Sequence, residues 1–189
     1  MTEETLSLAK GDALTPETFD NFVERLKYHC RGEGVNDHCT AEALFIVQAR
    51  KKIFGIDLEY TDDKVLVGDE SHWLSPLEYW NDCDEDQQAR INKAAQDYAD
   101  LDFLELAEHA QWDVLGGMDG MTVTGYSETW EYVNAHFTKE AAEAFIERKK
   151  HDYRDGLRVY AEAQIYCWEF NAIKEALMSG QLVLRTPAS

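Results

Sequence analysis

A chain of 189 residues with 44% apolar and 12% aromatic side chains is long and apolar enough to bury a sizeable core. Its formal net charge of -19, from 37 acidic against 18 basic residues, weighs against nucleic acid or an anionic membrane as a direct partner and points to something basic. No apolar run reaches the roughly 18 residues of a membrane span, and MTEETLSLAKGD lacks the basic start and apolar centre of a signal peptide. The expectation is a cytoplasmic protein whose four cysteines are reduced.

Thr15, Pro16 and Glu17 supply an N-cap, a first-turn proline and a favourable acid. Phe19, Phe22, Val23, Leu26 and Cys30 continue at helical spacing, and Gly32 ends the first helix. A second helix is expected from Thr40 through Ala43, Leu44, Val47 and Lys51 to Gly55. The intervening HCRGEGVNDHC, residues 29–39, then joins two helices. Its His29-Cys30 and His38-Cys39 pairs resemble half-sites for zinc, but zinc pairs are normally separated by two to five residues, and adjacent helical side chains point about 100° apart. Buried Cys30 and Cys39 with partly exposed histidines is the expected arrangement, and neither a metal nor another cofactor is expected.

Val65 to Val67 reads as an edge strand or a hairpin arm. Asp84 with Gln87 resembles a capping box, and Ile91, Ala94, Ala95, Tyr98, Phe103, Leu106, Ala107 and Ala110 carry an apolar stripe toward Val114, as one long helix or two abutting ones. From Met121 the period changes to that of strands, first at Thr122–Thr124 and again in WEYVNAHFT. Thr138 then caps a helix with Ala141, Ala142, Phe145 and Ile146 inside, LRVYAEAQIY alternates as a strand, and Trp168 to Leu177 form the last helix, ended by Gly180. The predicted order is α-α-β-α-α-β-β-α-β-α. That is an α+β fold, a small and mostly antiparallel sheet packed with several helices, in a single domain over residues 1–180 with a flexible tail at 181–189.

The charge is not spread evenly. Residues 57–132 carry 20 acids and 3 bases, whereas residues 1–56 carry 9 and 7 and residues 133–189 carry 8 of each. Asp82, Asp84 and Asp86 imitate the first ligands of a calcium loop, but Gln87 stands where its glycine belongs and Lys93 where its bidentate glutamate belongs. There is no phosphate-binding glycine loop, zinc-protease helix or nucleophile elbow, so no catalytic residues are expected. A helix N-terminus explains Asp82, Asp84 and Asp86 without a metal. Beside the reading of a solvated acidic surface stands that of a face for a basic host protein or nucleoprotein complex: Asp82, Asp84, Glu85, Asp86, Asp97, Asp100, Asp102, Glu105 and Glu108. Carboxylates three or four residues apart on a helix are spaced axially by about 4.5 to 6 Å, of the same order as the roughly 3.4 Å between phosphates of one DNA strand. The aromatic residues of the same segment, Trp73, Tyr79, Trp80, Trp112, Tyr126, Trp130 and Tyr132, are expected mostly in the core, and Trp73, Trp80 and Trp112 are the candidate aromatic anchors. Nothing in the sequence fixes the oligomeric state.

Two stretches, DHCTAEALFIVQARKKIFGIDLEYTDD (37–63) and WEYVNAHFTKEAAEAFIERKKHDYRDGLRVYAEAQIYCWEFNAIKEALMSG (130–180), resemble a group of small uncharacterised proteins of bacteriophages and other mobile elements. The shared features are an HCTA-ALF-VQ-R--I-G-D pattern and a strand-helix-strand-helix ending. The chain departs from the group at RVYAEAQIYCWEF, where an arginine-asparagine pair is usual. The resemblance implies origin on a mobile element, where small acidic proteins often oppose host defence. The expected function is therefore inhibition of a nucleic-acid-handling complex, such as a CRISPR effector or restriction enzyme, by competition with DNA. A phage accessory protein that binds a replication or recombination factor, and a metal-dependent or thiol enzyme, stand as alternatives.

Overall fold

The computed structural model of the protein describes residues 6–185. Among them are seven α-helices and five strands, an α+β fold. In chain order these are α1 (Pro16–Arg31), α2 (Gly34–His38), β1 (Ala43–Ile56), β2 (Lys64–Val67), β3 (His72–Trp73), α3 (Pro76–Asp82), α4 (Glu85–Ala99), α5 (Glu108–Gly116), β4 (Thr122–His136), α6 (Lys139–Lys149), β5 (Leu157–Ala163) and α7 (Trp168–Met178). The strands form one antiparallel sheet in the order β3-β2-β4-β1-β5. Contacts divide the chain into two compact units, Met1–Lys51 with Trp130–Ser189 and Lys52–Thr129, and β1 and β4 contribute residues to each. The central unit nearly coincides with the acidic segment 57–132.

In the first unit α1 begins as its sequence dictates. Pro16 is the first helical residue, the Thr18 N–H donates to Thr15 Oγ1 at 3.2 Å, and the Thr15 N–H donates to Thr18 Oγ1 at 2.8 Å. This is a capping box in which a threonine takes the place of the usual glutamate. Leu26 and Cys30 of α1 are buried with Met178 of α7.

The helix expected from Thr40 is a strand. Ala43, Phe45, Val47 and Ala49 of β1 are all buried, a spacing of two, and Ala43 to Ala49 pair in antiparallel register with Ala163 to Leu157 of β5. This face packs on Ala142 of α6, with Phe145, Ile146, Leu157, Val159 and Ala161 partly buried around it. Ile46 is also buried, so both faces of the strand are apolar at this end. A run that is apolar on both faces satisfies helical spacing as well as strand spacing, and here the β-branched Ile46, Val47, Ile53 and Ile56 decide for the strand. HCRGEGVNDHC is consequently the end of α1, the short α2 and the turn into β1, not a helix-helix connection. Cys30 is buried as expected. Cys39, however, is exposed at φ 58°, and His29 is buried with 3% of its surface accessible, its Nε2 lying 3.0 Å from Glu140 Oε2.

In the central unit Lys64 to Val67 of β2 pair with Gly125 to Thr122 of β4, and β3 pairs with β2 on its other side. Gly125 is required by close approach: a Cβ there would lie 2.7 Å from the Ile56 carbonyl oxygen and would collide with the Thr61 methyl. Leu66, Tyr79, Ile91, Phe103, Leu106, Trp112 and Leu115 are the large members of this unit's core, and Trp80 stacks on Phe103 with 5.4 Å between ring centroids. The helical stretch after Asp84 is two helices. Asp100 caps the C-terminus of α4 in the left-handed conformation (φ 54°), which an Asp tolerates better than most side chains, and a single 3-10 turn, Phe103–Glu105, leads to α5.

The two strand signals after Met121 belong to one strand, β4. Thr138 occupies the N-cap position of α6, but its side chain makes no capping bond. α6, β5 and α7 lie where the sequence places them, except that the strand stops at Ala163, short of Gln164 to Tyr166. Of the expected tail, Gln181 and Leu182 donate their N–H groups to the Ala176 carbonyl at 2.8 and 3.0 Å, and residues 186–189 lie outside the described residues.

Candidate functional site

Residues 52–129 hold 19 carboxylates and four cationic side chains, a net charge of -15 out of the chain's -19. All nine acids singled out from the sequence are exposed. None has an ion-pair partner among the described residues, and they divide by the local work they do.

Four of them serve helix N-termini. Asp84 is the N-cap of α4 and its Oδ1 accepts from the Gln87 N–H at 2.8 Å, without the reciprocal bond that would complete a box. Glu85 and Asp86 stand in the first turn of α4 and Glu108 in the first turn of α5, where the positive end of the helix dipole favours them. Three others hold turns or side chains. Asp82 Oδ2 accepts from Trp73 Nε1 at 3.0 Å, Asp102 Oδ1 accepts from Gln96 Nε2 at 2.9 Å, and Glu105 Oε2 accepts from the Asp102 N–H at 3.4 Å.

The remaining two have no such role. Asp97 lies in the last turn of α4 and Asp100 is its C-cap, at the negative end of the dipole, in a last turn without a single basic residue. Their charge opposes local stability.

Of the three candidate anchors, Trp112 is corrected by the structure: it is 5% exposed and belongs to the core. Trp73 and Trp80 are partly buried against the same core, Trp73 edge-on to Tyr79 with 4.6 Å between centroids. Trp73 lines an open cavity of about 480 Å³ with Glu70, Ser71, His72, Glu78, Asn81 and Asp82.

The exposed apolar side chains among the acids are different ones. Tyr98, Leu101 and Leu104 are 54%, 44% and 53% exposed and are interleaved with Asp97, Asp100, Asp102 and Glu105. Tyr98 and Ala107, expected on the buried stripe, are both exposed: α4 ends at Ala99 and the chain turns before α5. The available signal was DYADLDFLE itself, in which Leu101 and Leu104 fall outside the stripe. Tyr98 donates its hydroxyl to Asp113 Oδ2 at 3.1 Å, and this bond and the charge behind it raise the phenol pKa.

The thiol in this unit is a core group. Burial pushes the Cys83 thiol up, and burial together with Cys83 pushes the Tyr79 hydroxyl up to about 12, so both are protonated at neutral pH. Among the described residues no three His, Cys, Asp or Glu side chains converge as a metal site, and no helix is long and apolar enough to cross a membrane.

Compared with family models, with curated proteins and with solved structures, the chain finds no match. What defines the class of the protein is therefore its own α+β fold and its charge distribution.

Proposed function

We propose that this is a phage or mobile-element protein whose acidic unit binds a basic, nucleic-acid-handling host complex, such as a CRISPR effector or restriction enzyme, and competes there with DNA. The observation that carries the reading is the set of nine exposed carboxylates without ion pairs, concentrated in residues 52–129. Unpaired surface acids raise the encounter rate with a basic surface and repel nucleic acid, which makes competition for a DNA-binding groove the natural consequence. Tyr98, Leu101 and Leu104 supply apolar contact area among the charges, which long-range attraction alone lacks.

The test has two stages. Capture from a bacterial host lysate followed by mass spectrometry identifies the complex, and order-of-addition gel shift then examines it. Preloading the complex with its target DNA should block binding of this protein, and preloading this protein should block DNA. A stable ternary complex with target DNA overturns the competitive mechanism.

A further inference from the structure

We propose that β5 is a dimerisation edge, and that two copies of the chain join their β5 strands antiparallel about a two-fold axis at Tyr160. β5 is an end strand of the sheet, paired on one side only, with β1. The direction of its free hydrogen-bonding groups follows from the bonds it already makes. The Gln164 N–H donates to the Glu42 carbonyl at 2.8 Å, and the Arg50 N–H donates to the Gly156 carbonyl at 3.0 Å. The even-numbered residues of this stretch therefore turn their backbone groups toward β1. Leu157, Val159, Ala161 and Ala163 turn theirs outward.

Natural edges are usually blunted by proline, charged side chains (lysine above all), a bulge or a covering segment, and the two charges here, Arg158 and Glu162, are of opposite sign, which an antiparallel copy can match. Leu157-Arg158-Val159-Tyr160-Ala161-Glu162-Ala163 contains no proline, lysine or glycine, and α6 packs on the apolar face of the strand rather than along its edge. The edge is a template for a further strand.

The side chains select a second copy as that strand. Antiparallel self-pairing centred on Tyr160 overlaps all seven residues and sets Arg158 of each copy opposite Glu162 of the other. Val159 then faces Ala161, and Leu157 faces Ala163, which continues the apolar layer that Val159 and Ala161 form under α6. The outward-turned residues pair only with one another in this register, giving about eight inter-chain hydrogen bonds.

Arg158, Tyr160 and Glu162 are exposed, as the arrangement requires. Arg158 is already held over the strand: its guanidinium lies 4.1 Å from the Trp130 ring centroid and its Nε donates to Gln48 Oε1 at 2.9 Å. Its terminal amino groups remain for the carboxylate of the other copy. The unit that carries β5 is nearly neutral, with 18 acids against 14 bases. The whole chains nonetheless repel at -19 each, so the dimer should strengthen with salt, the opposite of binding to a basic partner.

Two experiments test the edge. At about 0.5 M salt, where screening is within a few Å, light scattering should give twice the 21.7 kDa chain mass. R158E and E162R should each return the mass to one chain, and R158E/E162R together should restore the dimer. For the geometry, exposed Cys39 and Cys167 are first replaced by serine. Tyr160→Cys then places two thiols across the axis at a non-hydrogen-bonded pair, with Cα atoms about 4.5 Å apart, within disulfide range. Mild oxidation should yield a covalent dimer. Glu162→Cys places its thiols about 14 Å apart and should yield none. A single-chain mass at every concentration, or Glu162→Cys crosslinking as fully as Tyr160→Cys, overturns the proposal.

Discussion

The two units handle charge in opposite ways. In the unit that holds α1, α6 and α7, several charged groups are paired. Lys174, 1% exposed, lies 3.2 Å from Glu42 and 4.8 Å from the Phe170 ring centroid, His29 meets Glu140 at 3.0 Å, and Arg31 pairs with Glu175. In the central unit the singled-out acids have no ion pairs, and the apolar core beneath them is correspondingly aromatic. Stability there comes from packing, and part of the charge is surplus to folding. A large loss from one core ring, and small or favourable effects from removing carboxylates, are the expected signature. Phe103→Ala should therefore cost about 3 to 5 kcal/mol in urea unfolding, because the ring is fully buried and is the platform on which Trp80 stacks. A cost below about 1 kcal/mol would mean that packing does not dominate this unit.

Backbone approach gives the next largest effect. Gly125→Val must displace the Ile56 carbonyl or the Thr61 side chain, and overpacking of this kind costs about 1 to 3 kcal/mol. Hydrogen exchange should quicken first in β2 and β4, whose register places Lys64 opposite Gly125. Protection unchanged in both strands would remove the close-approach account.

Asp84 and Glu140 sharpen the contrast at about the same scale. Asp84→Ala removes the capping bond to the Gln87 N–H and should cost about 1 kcal/mol despite deleting a negative charge from a unit of net -15. Glu140 behaves differently. Burial works to raise its carboxyl, but the His29 hydrogen bond, a backbone bond and the charges of His29 and Arg25 prevail and hold it below the ordinary value of 4.5. As pH falls, the unfolded chain takes up the proton first, so this stabilisation is complete above the ordinary carboxylate range and is lost as pH drops through the lower folded value. With Glu140 partly exposed, Glu140→Gln should cost about 1 kcal/mol at pH 7 and nothing once both carboxyls are protonated. Thermal melts from pH 7 to pH 3 read the difference, and a constant gap across that range would exclude the charged hydrogen bond as its cause.

How far the fold was legible follows the grammar of each segment. Thr15-Pro16-Glu17 announces α1, and Ser75-Pro76-Leu77-Glu78 announces α3 by the same rule, since Ser75 Oγ accepts from the Glu78 N–H at 3.1 Å. That second signal is easily passed over in a segment whose acidic and aromatic composition suggests a surface. β1 was hidden because Ala43 to Ala49 is apolar on both faces, where strand and helix spacing coincide. The acids of the candidate surface are readable directly, as charge has few places to go but outward. The anchors are not: a tryptophan is equally at home in a core, as Trp112 is, and only the turn after Asp100 leaves Leu101 and Leu104 exposed.

The smallest effect separates folding from function most sharply. Asp97 opposes the dipole of α4, and a lysine at that position would favour it while also reducing the unit's self-repulsion. Asp97→Lys should therefore stabilise the protein, by about 0.3 to 1 kcal/mol at low ionic strength. The gain should shrink as salt screens both contributions. If the acidic surface meets a basic partner, the same substitution should slow association with the captured complex. On the proposed reading, in which Asp97 serves the contact and not its own helix, a variant that is more stable and associates more slowly is the expected outcome. Stabilisation with an unchanged association rate would place Asp97 outside the contact. Destabilisation would show that its carboxylate has a structural partner and that the sorting of these acids by helix end is wrong.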